Sequence, residues 1–314
     1  VAPDNVWQVN RPRTGTKPSA PSTVLSPPSA RPVLVTGASG RIGSGVVAAL
    51  LSAGAPVRAA YRDPARTAAM TESGHDAVTV DYRRPATLPA AMAGVGTLFL
   101  VTATTATQTQ DELTLVDAAC EAGVERVVKV SLWRADERLT PLADLHRPVE
   151  QAIERSGLRW TFLRPNFFMQ NFAQMAASIA EHGVIARPGG SAPISYVDAR
   201  DVAGVAAHVL TTGGHDGRVY SLTGPRALTY EQVADVFSDV LRNPVRYRAQ
   251  TATQAREGLL AAGVPAFMAA ALVRVSVVYG EGGADSVLST VTDLTGDAPR
   301  TFEQFVRGHR RLFG

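Results

Sequence analysis

The residues Thr36-Gly37-Ala38-Ser39-Gly40-Arg41-Ile42-Gly43 combine backbone-exposing glycines with a hydroxyl and a cation, a pattern suited to holding phosphate. They follow a short apolar run, Val33-Leu34-Val35, and open a helical stretch from Ile42 to Ala53. In that context each glycine has its own steric role. Gly37 permits a tight turn, Gly40 lets the backbone approach a pyrophosphate, and Gly43 lets the helix pack on the strand. The helix start adds unpaired N–H groups and the positive end of its dipole. An ordinary glycine loop is the competing explanation. The alternation of strands and helices downstream argues against it and for a bound dinucleotide.

The end of the second apolar run decides which dinucleotide. An Asp or Glu there binds the ribose hydroxyls of NAD. Here Val57-Arg58-Ala59-Ala60-Tyr61-Arg62 ends in a cation. Arg62 and Arg41 together suit a 2′-phosphate, because guanidinium matches phosphate with a planar fork of donors. NADPH is therefore expected, and Asp63, one residue later, is the feature that speaks for NAD. Asp81-Tyr82 closes the third strand at the adenine edge, or simply forms a turn. Val101-Thr102-Ala103, ending the fourth, is expected beside the nicotinamide ribose.

The elements that position these residues alternate regularly. Strand-like runs at 57–62, 77–81, 97–101, 126–131 and 160–164 enclose helix-like stretches at 64–72, 107–122 and 144–156. Short apolar strands separated by helices mean parallel strands covered on both faces. The expected fold is α/β, a Rossmann doubly wound parallel sheet with a smaller mixed α/β C-terminal substrate lobe, its crevice at the strand carboxyl ends. The expected division is a disordered proline-rich tail at 1–31, an NADP-binding domain at 32–165, and a substrate lobe at 166–314 with segments returning to the sheet. In that lobe Thr229 and Gln232 form a capping box ahead of the apolar stripe Val233, Val236, Phe237, Val240 and Leu241.

Charge and cysteine content exclude some classes. Residues 1–31 hold four cations and one anion and carry all of the net +3, so the remainder is neutral overall. A nucleic-acid binder concentrates positive charge on its folded face, so no nucleic-acid partner is expected. Lys17 and Lys129 are the only lysines, a bias read as compositional. Cys120 is the sole cysteine, expected as a small buried apolar side chain. The apolar stretch from Val264 to Gly280 is interrupted by Pro265 and Arg274 and is too short to span a bilayer. The protein is expected in the cytoplasm, away from membranes, as a monomer or homodimer. His75, His182, His208, His215 and His309 show no ligand spacing, so no metal is expected.

Several separated segments resemble the NmrA-like family of atypical short-chain dehydrogenases, over residues 32 to about 310. Besides the glycine loop they are Leu142-Ala143-Asp144-Leu145-His146 with Glu150, Ser156 to Pro165, Asn166 to Asn171, Tyr196-Val197-Asp198 with Asp201-Val202-Ala203, and Thr292 to Gly296. The resemblance implies that Pro165, Asn166 and Phe167 pass beside the nicotinamide. Ordinary short-chain dehydrogenases use Tyr and Lys four apart plus a Ser at the end of the fifth strand. Ser131 is kept, but His146 and Glu150 occupy the four-apart places, as the family's quinone reductases also have it.

Residues four apart share a helix face. His146 could then donate a proton near neutrality, with Glu150 fixing its tautomer; the alternative is a surface pair or cap. Pro148 suggests a helix start no earlier than Leu145, with His146 in the first turn. Trp133, Phe168, Met169 and Tyr196, with Phe167, form a broad apolar pocket, or simply core. The expected activity is NADPH-dependent reduction of a quinone or polycyclic aromatic ketone, with specialised metabolism as its expected setting. A non-catalytic NADP(H) sensor acting through a protein partner is the second reading.

Overall fold

Runs of Val, Leu and Phe too short for buried helices make the strands, and side-chain alternation sorts their residues between two faces. The computed structural model describes residues 31–314. The expected tail lies outside the described residues except Arg31, whose guanidinium bonds the carbonyls of Gly94, Val95 and Gly123. The strands are β1 (Val33–Val35), β2 (Val57–Tyr61), β3 (Ala77–Thr79), β4 (Thr97–Leu100), β5 (Arg126–Val130), β6 (Arg159–Pro165), β7 (Val184–Arg187), β8 (Arg218–Leu222) and β9 (Arg246–Ala249). Seven form one sheet in the order β3-β2-β1-β4-β5-β6-β8, every pair parallel. β7 and β9 form a separate parallel pair.

The helices are α1 (Arg41–Ser52), α2 (Pro64–Glu72), α3 (Leu88–Met92), α4 (Gln108–Glu121), α5 (Pro141–Arg155), α6 (Ala176–His182) and α7 (Ala199–Thr211). They continue as α8 (Tyr230–Leu241), α9 (Ala252–Ala261), α10 (Ala266–Gly280), α11 (Thr290–Thr295), α12 (Phe302–Gly308) and α13 (Arg310–Phe313). On one face of the sheet Val35, Phe99 and Val128 pack under α1 and α7. On the other, Leu34, Leu98, Val127 and Phe162 pack under α3, α4 and α5. A third cluster, rich in rings such as Phe172, Phe237, Phe302 and Phe313, fills the C-terminal lobe.

The Thr229–Gln232 capping box forms as expected, and Val233, Val236 and Phe237 are buried. Two sequence-based expectations change here. α5 starts at Pro141, not Leu145, because Thr140 caps it and Pro141 tolerates the first turn, leaving Pro148 inside the helix. Pro148 has no N–H for the carbonyl of Asp144, so that one helix bond is missing. Cys120 is exposed rather than buried, because it falls on the outer side of α4, whose inner side carries Leu115, Val116 and Ala119. No helix among the described residues is long and apolar enough to cross a membrane.

Gly43 is where helix and loop meet most closely. A Cβ there would lie 2.2 Å from the carbonyl oxygen of Gly37. Gly43→Ala is expected to lower stability by about 1–3 kcal/mol, as an overpacking change, measured by urea unfolding.

Candidate cofactor and substrate site

The sheet order reverses at β1, which lies between β2 and β4, so the connections leave in opposite directions and a crevice opens at the strand ends. The Thr36 hydroxyl ties the seam. It donates to the Val101 carbonyl at 2.9 Å and accepts from the Val101 N–H at 2.8 Å. Gly37 then turns with φ +57°, and a Cβ on it would lie 2.7 Å from the Val101 oxygen. Gly40 is the N-cap of α1 and provides no side-chain cap, so the first N–H groups of the helix face the cavity unpaired. These residues fit a pyrophosphate: the loop is a cradle that side chains would fill.

That cavity measures about 430 Å³, lined by Gly37, Ser39, Gly40, Arg41, Ile42, Gly43, Val101, Thr102 and Ala103. Phe168, Gln170 and Ala199, which sequence reasoning did not assign to it, complete the wall. Gln170 is held by Asp198 and by the N–H of Ala199, at 2.8 and 3.0 Å. Arg41 and Arg62 are exposed. Asp63 is occupied elsewhere, accepting from the Ala65 N–H at 3.0 Å as the cap of α2. Asp81 stabilises its own turn through the Arg83 N–H at 3.1 Å. Burial raises the phenol pKa of Tyr82, whose ring packs against the core cluster under α3 and α4 and is not on the wall of the glycine-loop cavity.

A second cavity of about 460 Å³ continues from the first, sharing Ile42, Val101, Thr102 and Phe168. Ser131, His146, Asn166 and Phe167 line it, and α10 roofs it with Met268, Leu272, Val275 and Tyr279. Asn166 borders the cavity, but its amide is committed to Ser195 and the Ala284 carbonyl, each at 2.8 Å. Pro165 is buried at the end of β6. Of the four expected pocket residues only Phe168 is on this wall. Trp133, Met169 and Tyr196 are buried in the lobe's ring cluster, with the Trp133 indole N–H bonded to the Gly283 carbonyl at 2.9 Å.

Charge enters the apolar interior through Lys129. Alternation along β5 puts Val128 and Val130 on the α1/α7 face and Val127 on the opposite face. Lys129, two residues on, therefore faces α4 and α5. Its ammonium pairs with Glu112 of α4, and both side chains are fully buried. Glu112 also accepts from the Thr102 hydroxyl at 2.6 Å, so one buried carboxylate links the wall shared by both cavities to Lys129. The same ammonium lies 3.3 Å from Nδ1 of His146, and the Gln108 amide nitrogen lies 3.3 Å from Nε2.

A neutral imidazole has one acceptor nitrogen and one donor nitrogen. The charged ammonium claims Nδ1, which leaves the ring proton on Nε2, where the Gln108 amide accepts it only through its oxygen, an atom otherwise without a partner among the described residues. Burial, then the Lys129 charge, push the His146 pKa well below its ordinary value.

Glu150 does not orient His146. Arg164 of β6 forms a two-pronged pair with it at 2.9 and 2.8 Å, and Arg147 adds a third bond at 3.0 Å. Burial alone would raise the Glu150 pKa, but the bonds from Arg164 and Arg147 hold it below the usual range. The Ser131 hydroxyl makes no hydrogen bond of normal geometry among the described residues, despite its proximity to Glu150. A shared helix face brings His146 and Glu150 near each other, but a buried guanidinium outcompetes imidazole for the carboxylate.

Comparison with known proteins places this arrangement. The profile of the NmrA-like family matches residues 29–306. The chain belongs to the NmrA-like family. Among curated relatives, an NAD(P)H azoreductase of Xenophilus azovorans is 37% identical over 283 residues, covering 90% of this chain and 99% of that protein. Quinone oxidoreductase 2 of Escherichia coli is 29% identical, covering 87% and 97%. The crystal structure of the Escherichia coli NADPH-dependent quinone oxidoreductase complexed with NADPH superposes with TM-score 0.82 at 29% identity, covering 90% of this chain and all of that one. The Citrobacter triphenylmethane reductase complexed with NADP(H) superposes with TM-score 0.79 at 26% identity, covering 88% and 99%.

In this NmrA-like chain, sequence reasoning missed Gln108, Glu112, Lys129, Arg164 and the α10 wall. Lys129 carried a usable signal: a lysine inside an apolar strand must find a buried partner. Lys129→Met is expected to lose about 3–5 kcal/mol by stranding the Glu112 charge, with most recovered in Lys129→Met/Glu112→Gln, read by urea unfolding. His146 sets a pH window. Its folded pKa lies below the unfolded value of about 6.5, so the unfolded chain takes the proton first and stability falls as pH drops below about 6.5. His146→Gln should flatten the slope of unfolding free energy between about pH 6.5 and 5. The depressed Glu150 acts lower, its contribution fading only as pH falls below about 4.3.

Proposed function

We propose that this chain is an NADPH-dependent oxidoreductase that reduces flat, electron-poor aromatic acceptors, quinones first among them. The observation that carries this is the wall that the glycine-loop cavity and an apolar crevice share, made by Ile42, Val101, Thr102 and Phe168. When bound, NADPH supplies a hydride.

The chain's own residues bind, exclude water and donate hydrogen bonds. Gly37, Gly40 and the start of α1 hold the pyrophosphate, and Arg41 with Arg62 holds the 2′-phosphate, with Asp63 withdrawn into its cap. Phe167, Phe168 and the α10 residues cover the acceptor and keep water out. His146 is neutral and shares its Nε2–H between Gln108 and an acceptor oxygen as negative charge develops there, rather than transferring a proton as imidazolium. Tyr279 is a second donor on the wall, its phenol kept protonated by burial, which raises its pKa far more than the Arg134 charge lowers it. Among the described residues Lys129 is the one lysine, and it is committed to Glu112 rather than to a tyrosine of the crevice. Reduction of acceptors whose products are acidic phenols is the chemistry such a site favours. The quinone reduction named for one relative is of this kind.

The test is loss of absorbance at 340 nm with a panel of quinones and azo compounds. Turnover is expected with NADPH in preference to NADH, the preference collapsing in Arg41→Ala/Arg62→Ala. His146→Ala should lower kcat by about tenfold or more, the scale of one hydrogen bond to developing charge, and wild-type kcat/KM should stay level from pH 6 to 8. No acceptor-dependent oxidation of NADPH across the panel would refute the proposal.

A further inference from the structure

β7 ends in Arg187, a residue the crevice chemistry does not use. It is 8% exposed, and its guanidinium has no hydrogen bond or ion pair among the described residues. Its main chain is fully engaged, the carbonyl accepting from the Gln250 N–H and the Tyr247 hydroxyl, each at 3.1 Å. Its field reaches two buried phenols, Tyr196 and Tyr230, whose hydroxyls also lack normal partners. Phenols raised by burial remain neutral, so they do not balance the charge.

None of the Arg187 nitrogens is sealed in the core, so the guanidinium opens into a cavity without a counter-charge beside it, where an anion would be favoured. Arg187 borders a cavity of about 190 Å³ whose other polar walls are Gln174, Gln250 and Ser276, with no acidic side chain. The cavity adjoins the substrate crevice, because Gln174 and Leu272 line both. Space, a stranded cation and donor side chains thus converge at the end of the crevice away from the glycine loop.

We propose that this cavity receives an anionic group, a carboxylate or similar oxyanion, carried on the far end of the substrate whose ring lies in the crevice. The proposal rests on the reductase reading of that crevice. Arg187 closes on the oxyanion with its donor fork, the amides of Gln174 and Gln250 supplement it, and Leu272 packs the connecting chain, the Ser276 hydroxyl being already donated to the Leu272 carbonyl. The natural substrate class is then an aromatic acceptor bearing an acidic side arm.

The experiment compares 1,4-naphthoquinones carrying alkyl tails of increasing length that end in a carboxylate with their methyl esters, and with a tail-less naphthoquinone. At the right tail length wild-type kcat/KM should favour acid over ester by about tenfold or more, as a hydrogen-bonded charge predicts. Arg187→Met should erase that ratio and Arg187→Lys retain part of it. A wild-type ratio of unity at every length overturns the proposal without any variant, and so does an Arg187→Met loss that falls equally on acid and ester. If even the tail-less quinone is not reduced, the reductase reading fails by itself. The anion site is then decided by calorimetry with benzoate: heat in wild type but not in Arg187→Met supports it, and no heat in either overturns it.

Discussion

The seam between β1 and β4 is the constraint on which the site depends. Parallel strands whose connections leave in opposite directions must part at one place, and the Thr36 hydroxyl, donor and acceptor to the same residue at the end of β4, fixes how far they part. Gly37 can turn there only because it has no side chain to meet the Val101 oxygen. From that turn follow the direction of α1, the unpaired N–H groups at its start, and the position of Val101 and Thr102 on a wall shared by two cavities. A hydrophobic sheet alone would close over this gap. A hydroxyl and a glycine keep it open.

Beneath the wall the buried pair of Lys129 and Glu112 sets the polarity of the crevice. Two charges removed from water contribute little net stability, but each strongly constrains its neighbours. Glu112 orients Thr102, and Lys129 faces His146 with a donor. The imidazole thereby keeps a defined tautomer in a setting that otherwise would leave it ambiguous. Arg164 and Glu150 form a separate pair, so the two ionic clusters do not compete for the same ring. The crevice thus presents neutral donors on an apolar wall, in keeping with an acceptor ring that is itself uncharged until it is reduced.

What was legible in the sequence follows a physical division. The glycine loop is a local steric code, complete within eight consecutive residues, and it was readable with its strand and helix. The parallel sheet was readable because both-face burial leaves short apolar runs. His146 and Glu150 were rightly placed on one helix, but a shared face does not say which partner wins, and Arg164 arrives from another strand. Trp133, Met169 and Tyr196 could not be told from crevice residues, because an aromatic side chain suits core and pocket equally. The α10 wall was missed for a related reason: apart from Arg274 the stretch from Val264 to Gly280 is apolar on its core, crevice and exposed sides alike, so no stripe marks its function.

The chain leaves the sheet after β6, builds β7 and α6 and α7, and returns to lay β8 against β6. Closure of that excursion costs chain entropy before the last strand is rewarded. Completion of the sheet is therefore a late, long-range event that depends on the intervening segment being in place. A fragment ending at Pro165 would present β6 as a bare edge, its row of unmatched amides open to pairing with a neighbouring molecule. The apparent boundary between cofactor and substrate halves is thus a poor place to divide the polypeptide, and the two halves should form as one cooperative unit.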